Sequence, residues 1–420
     1  MFARTLALYQ NAYSGLSRNT WLLSIVMLIN RSGTMVIPFM TIYLTRPAMG
    51  YSIGQAGAVV GVFGLGAVCG GWLGGRLTDR IGFHRVQYMA LAGGGILFMV
   101  LGQVTSYPLI CLCTFVLSVV NEAFRPANST AIAVYSKEDN RTRSYSLNRL
   151  ATNLGWAVGG AIGGVLASIN FHLLFWVDGS TNLAAMLLLR FFLGHSAEPG
   201  LARTENAAGE PVGSPYRDKI YLGFLACTIV FAACFFQLFS VLPVFYKTAL
   251  HMPEYMIGLL MTLNGLLITI VEMVLVFRLE GRRENLVYVF WGTCLVASSY
   301  LLLNILPLSV YTAYFCMLLT TVGEMMTMSF LASFWIARTH PANRGQYAGL
   351  YTIAWSTAQV IGPAGGAEIA QRAGFRVLWW LVGGICLAAG FGFRRLRKIL
   401  QAATGGLSGR TDISDLREIR

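Results

Sequence analysis

Residues 194–218 read GHSAEPGLARTENAAGEPVGSPYRD, and what lies on either side of this stretch decides the fold. It is rich in glycine, proline, alanine and acids and poor in aromatics, which is the composition of a linker. Before it come six apolar runs, near residues 20–44, 53–73, 86–104, 108–133, 144–168 and 171–193. Six more follow, near 220–245, 256–277, 286–306, 308–336, 346–370 and 377–393. About 20 apolar residues cross a hydrocarbon core roughly 30 Å thick. The pattern is therefore an all-α integral membrane fold of twelve transmembrane helices. It divides into a six-helix bundle over 1–193, a linker over 194–218, a second bundle over 219–395 and a tail over 396–420.

Composition agrees with this reading and excludes a water-soluble enzyme. The 420 residues are 55% hydrophobic and 12% charged, with mean hydropathy +0.60. The net charge of +13 is explained by its placement. On the side that carries both termini, the loops and tails hold most of the 31 Lys and Arg, while the opposite loops hold only Arg46, Lys247, Arg372 and Arg376. That bias is the positive-inside signature, so both termini are expected in the cytoplasm of a cell whose inner membrane holds the chain. Nucleic-acid binding is not needed to account for the charge. The basic run Arg394 to Lys398 reads as a stop signal and lipid-headgroup contact. No small-residue cleavage site follows a short apolar region near the N-terminus, so the first run reads as an uncleaved span.

All eight cysteines fall inside apolar runs, and Cys111 and Cys113 have no His or Cys cluster near them. They read as packing residues, with no disulfide and no metal site. No phosphate-cradling GxxxxGK[ST] loop is present. Transport is therefore expected to be ion-driven rather than nucleotide-driven, with a proton gradient as the energy source and no cofactor. The expected partners are a small-molecule substrate, protons and membrane lipid, and the expected state is monomeric.

Sliding the chain so that Glu122 falls on Glu324 also brings Tyr145 onto Tyr347, Gly160 onto Gly362, Gly163 onto Gly365, Gly164 onto Gly366 and Arg80 onto Arg282. These matches fall in corresponding elements of the two halves, as a parallel repeat about an axis normal to the membrane gives.

The turn after the second span reads Gly74-Gly75-Arg76-Leu77-Thr78-Asp79-Arg80-Ile81-Gly82-Phe83-His84-Arg85. It resembles the loop signature of the major facilitator superfamily, roughly GxLaDrxGrrr, through Gly75, Leu77, Asp79, Arg80, Gly82 and Arg85. Phe83 and His84 stand where basic residues are usual. The resemblance implies that the aspartate and its basic neighbours hold the cytoplasmic helix ends together in the outward-open state, partly by setting a carboxylate at a helix N-terminus. In the second half the corresponding turn, Arg278-Leu279-Glu280-Gly281-Arg282-Arg283, puts Gly281 where Asp79 would fall.

Span five carries Gly155-Trp156-Ala157-Val158-Gly159-Gly160-Ala161-Ile162-Gly163-Gly164, and glycines at this spacing let helices approach closely. It also resembles GxxxGPxxGG, which marks the drug and proton antiporter branches, with Gly160 in place of the proline. The glycines Gly159, Gly160, Gly163 and Gly164 are accordingly expected to act in gating.

Ionisable residues at membrane depth cost on the order of 2.5 to 3.5 kcal/mol at a helix centre unless they meet a partner or a water-filled cavity. Eight stand there: Arg31, Glu122, Arg125, Arg149, Asp178, Glu272, Glu324 and Glu368. Glu122 and Arg125 lie one turn apart on one face. They read either as a structural ion pair or as a proton site whose charge responds to Arg125, Arg31 or substrate. Glu324 has no base at short spacing in its own helix, so desolvation dominates and it is the better proton carrier. Asp178 and Glu368 lie toward the outer ends of their spans. Arg31 is too central to snorkel and is expected to face the cavity, where it meets an acid or an anionic substrate group. Arg149, Tyr43, Asn153, Gln237, Tyr351 and Trp355 complete the candidate substrate-binding set.

These readings converge on a proton-coupled secondary transporter that works by alternating access, with Arg31, Glu122, Arg125 and Glu324 meeting in one central cavity. The leading expectation is export of amphipathic or drug-like molecules in exchange for protons. The alternative is proton-coupled import of a small zwitterionic or peptide-like solute.

Overall fold

The computed structural model describes residues 2–193 and 214–408, all of them helical or in short connections. Most of the 194–218 linker, residues 194–213, and the tail beyond 408 lie outside the described residues. The twelve spans are Arg18–Thr45, Gln55–Ile81, Phe83–Leu101, Tyr107–Tyr135, Glu138–Ile169, His172–Leu193, Lys219–Thr248, Met256–Leu279, Asn285–Ile305, Val310–Ala337, and two spans within the continuous run 344–408, divided at Gly374. Gly374 stands at φ 82°, a left-handed conformation open to glycine. The last helix runs past residue 395 to Ser408, and its extension is pinned where Glu284 accepts from Arg397 Nε at 2.7 Å and Gln401 Nε2 at 2.7 Å. The Arg397 guanidinium holds the Glu284 carboxyl below the usual carboxylate range.

Three spans are broken, and proline places each break. A proline ring clashes with the carbonyl four residues earlier and lacks an N–H to bond it. Four residues before Pro38 is Thr34, and the first span breaks between Ser32 and Val36. Four residues before Pro126 is Glu122, and the fourth span breaks at Ala123. Four residues before Pro243 is Phe239, and the seventh span passes through a short 3-10 turn, Phe236–Leu238, before resuming at Val241. The first span of each half therefore breaks at the same depth, a sign of the internal repeat.

Backbone groups freed inside a bilayer must find partners within the protein. At the first break, the Asp178 carboxylate of span six accepts from the Met35 and Val36 N–H groups at 2.8 to 3.1 Å. Asn30 donates to Asn182 beside it at 2.9 Å. At the seventh-span break, Gln237 Nε2 donates to the carbonyls of Gly362 and Ala233.

Span five packs along span one through Gly155, Gly159 and Gly163. A Cβ on Gly155 would lie 2.6 Å from Arg31 Cβ, and one on Gly159 would lie 2.9 Å from the Ser32 carbonyl. Gly160 and Gly164 face open space, so close packing belongs to the first set of glycines alone. In the second half, Gly362 and Gly366 pack against Ala233 and Gln237 of span seven. They thus correspond to Gly159 and Gly163, one residue off the alignment that pairs Glu122 with Glu324.

A helix that precedes the first span, Phe2–Tyr13, lies against span eight. Ala12 is buried with Leu147 and Met273, and Tyr9 donates to the Ile270 carbonyl at 2.7 Å. The end of this helix is held by Arg143, whose Nη1 donates to the carbonyls of Asn11, Ala12 and Ser14.

Candidate functional site

The halves are sealed together on the face that carries the termini. Spans two and eleven touch backbone to backbone there. A Cβ on Gly75 would lie 2.5 Å from the Gly345 carbonyl, and one on Gly349 would lie 2.6 Å from that of Gly71. This approach brings Asp79 to the start of span eleven, where its carboxylate accepts from the N–H groups of Gly345 at 2.6 Å and Gln346 at 2.8 Å. A carboxylate at these first-turn donors satisfies groups that the helix itself leaves orphaned. Gly82, at φ 89°, makes the turn into span three. Arg80 and Arg85 are exposed and form no ion pair among the described residues, so the aspartate, not the bases, joins the halves at this turn.

The second half has a counterpart that the sequence alignment misses. Glu280, one residue before the position aligned with Asp79, accepts from the Thr142 N–H at 2.7 Å and from Arg143 Nε at 3.0 Å. It caps span five as Asp79 caps span eleven, and its longer side chain makes up the offset in register. Deeper along the same seam, Ser333 donates to Thr142 at 2.7 Å and Ser146 to Ser329 at 3.0 Å.

Below this seal sits the first charge cluster. Arg149 of span five reaches into the other half and donates to Glu272 of span eight through Nε at 2.9 Å and Nη2 at 2.5 Å. Its Nη1 donates to Glu324 of span ten at 3.2 Å and contacts Met328 sulfur at 3.0 Å. Glu272 also accepts from Ser329 at 2.8 Å, and Glu324 accepts from Asn264 at 3.1 Å. Both carboxylates are buried, at 1% and 4% exposure. Tyr351 and Trp355 line a pocket of about 260 Å³ against Arg149. Glu324 therefore does have a basic partner. It comes from the opposite half, beyond the reach of any reading confined to its own helix.

The second cluster lies apart from the first, in the first half. Glu122 and Arg125 form an ion pair at 2.7 Å across the Pro126 break, and Arg31 lies within electrostatic range of both. Arg31 and Glu122 are 5% and 3% exposed. All three line a cavity of about 410 Å³ with Asn30, Asn182, Trp156 and Gln359. Glu324 is absent from its walls, so the four charged residues expected in one cavity occupy two sites. The cause is the turn of span ten, which points Glu324 at Asn264 and Arg149 on the terminal side.

Three candidate binding residues fall elsewhere. Tyr43 is buried among Phe171, His172 and Phe175, with the Arg46 guanidinium 4.3 Å over its ring. Gln237 is occupied in tying span seven to span eleven. Asn153 lines neither of these two pockets. Asp178 holds the broken first span, and Glu368 pairs with Arg372 on the surface. Among the described residues, no group of three His, Cys, Asp or Glu is arranged to hold a metal ion.

Comparison with known proteins bears on this architecture. The chain is 25% identical over 400 residues to a "Na(+), Li(+), K(+)/H(+) antiporter" of Planococcus maritimus, covering 86% of this chain and 92% of that protein. Its fold is similar to that of a bacterial homologue of the iron transporter ferroportin in an outward-facing state, with TM-score 0.73 and 16% identity over 91% of this chain and 100% of the other. It is also similar to the human organic anion transporter MFSD10, with TM-score 0.70 and 16% identity over 90% and 99% of the two chains. The sequence profile of the Major Facilitator Superfamily matches residues 20–363, and the chain, a multi-pass membrane transporter rather than an enzyme, belongs to that family.

Proposed function

We propose that this transporter is a proton-coupled antiporter that exports small amphipathic molecules by alternating access, with its termini in the cytoplasm and Glu324 as the proton carrier. The observation that carries the reading is the charge count at Arg149. One guanidinium from the first half serves two buried carboxylates of the second, which leaves one negative charge uncompensated at membrane depth. A proton removes that charge. Glu272 is held by a bidentate pair and a serine hydroxyl, while Glu324 has one longer bond from Arg149 and one amide donor. Glu324 is the carboxylate that gives up its partner most easily. Once it is protonated, the charged tie from span five to span ten is lost and the remaining Arg149–Glu272 pair is neutral, which weakens the seal on the terminal face.

A second reading is antiport of alkali cations. The relative from Planococcus maritimus favours it, as do the oxygen donors of Glu272, Ser329, Glu324 and Thr321 that crowd the same site.

The test uses everted vesicles that hold an acid-inside gradient reported by acridine orange. Added amphipathic compounds, or Na⁺ and K⁺ salts for the second reading, are expected to dissipate the gradient. Glu324→Gln should abolish this response while leaving substrate counterflow intact. Substrate movement unchanged after the gradient is collapsed would sink the proton-coupled reading.

A further inference from the structure

The 410 Å³ cavity has the opposite charge defect from the Arg149 network. Two guanidinium groups, Arg31 and Arg125, and one carboxylate, Glu122, line its wall. Glu122 pairs with Arg125 at 2.7 Å by charge alone, its Oε2 accepting no hydrogen bond. The Arg31 side chain forms no hydrogen bond or ion pair among the described residues, and its Nε is buried without a partner, the residue being 5% exposed. It cannot withdraw: its Cβ is wedged against Gly155 of span five, and the chain breaks two residues further on at a turn fixed by Asp178. The other polar groups on the wall, among them Thr34, Asn121, Ser356 and Gln359, are neutral, and Phe63, Phe98, Val60 and Trp156 add an apolar surface. Asp178, the nearest further acid in the sequence of span six, is spent on the Met35 and Val36 N–H groups.

A buried guanidinium without a partner is costly and is stabilised by a ligand that supplies the missing negative charge and accepts its fork of donors. We infer that the cavity binds an organic monoanion, its carboxylate or equivalent oxyanion on Arg31 and its apolar body against Trp156, Phe63 and Val60. This assignment rests on the transport reading above and narrows its substrate class. Arg125, paired with Glu122, supplies the second positive charge on the cavity wall. A cation in the same place would meet an excess of positive charge.

The experiment compares three probes with one apolar body and different charge: 1-naphthoate, 1-naphthalenemethanol and 1-naphthylmethylammonium. Binding to the purified full-length protein is measured by calorimetry. Naphthoate should bind, at least tenfold more tightly than the alcohol, and the ammonium should bind more weakly than both. Arg31→Gln should remove the preference for naphthoate over the alcohol, and Arg31→Lys should restore part of it, while Glu368→Gln on the surface should leave all three affinities unchanged. Retained alcohol binding shows that the Arg31→Gln protein is folded. Equal affinities for naphthoate and the alcohol in the unaltered protein, or a preference for the ammonium, would overturn the assignment. The two readings fail separately. Naphthoate binding with transport indifferent to a collapsed pH gradient keeps the anion site and removes proton coupling, whereas absent naphthoate binding with gradient-dependent transport of other solutes does the reverse.

Discussion

Arg149 and Asp178 show how differently single side chains at membrane depth are used, one meeting carboxylates and the other backbone. Both sit in spans and both are surrounded by protein, yet Arg149 binds carboxylates that can change charge, while Asp178 binds backbone N–H groups that cannot. Asp178→Asn removes the charge but keeps the shape, so the donors at the first-span break lose charge-assisted bonds. A stability loss of roughly 1 to 3 kcal/mol is expected, read as a lowered Tm of the purified protein; an unchanged Tm would show that the break needs no carboxylate. The sequence marks all eight ionisable residues within the apolar runs, because a charge there is visible without coordinates. It does not show which ones meet. Arg149 is more than a hundred residues from Glu272 and Glu324, and only the packing of span five against spans eight and ten joins them.

At the scale of elements, the terminal seal is a reciprocal pair of helix caps. Asp79 reaches from the first half to the start of span eleven, and Glu280 reaches from the second half to the start of span five. Each cap is worth about 1 kcal/mol, so losing one shifts the sealed-to-open ratio about fivefold. A cysteine placed at Ser333, which is buried in the seam, reports this shift through its alkylation rate, resolved by mass spectrometry from the native thiols. Asp79→Ala and Glu280→Ala should each speed alkylation by roughly that factor, and together by the product; no acceleration in either would remove the caps from the seal. The Asp79 turn is legible because its motif is local. Glu280 escapes because a one-residue shift defeats an alignment by position, although a longer acid one step earlier on a turn is a signal that could have found it. The helix breaks were also within reach, since Pro38, Pro126 and Pro243 each stand four residues after the carbonyl where the span gives way.

For the whole molecule, the twelve spans and two halves follow from apolar runs and a polar linker, because membrane thickness sets span length and leaves little freedom. The distribution of charge between the halves does not follow from pattern. It arises from the sealed state itself, in which, among the described residues, the polar contacts that join spans of the two halves lie toward the terminal face. Two clusters result, one with a carboxylate in excess and one with a guanidinium in excess, and in the proposed cycle they are coupled through the rocking of the halves. The central claim is that protonation of Glu324 opens the terminal face. The carboxylate supports the seal while ionised, so the seal should be present at higher pH and lost as pH falls. Electron–electron distance measurement between spin labels at positions 80 and 283, both exposed and on opposite halves of the terminal face, in a background with the eight native cysteines replaced, tests this directly. The account predicts a shift to longer distances on acidification, and in Glu324→Gln the longer distances already at neutral pH with no further response to acid. A distance distribution indifferent to both pH and the substitution would contradict it.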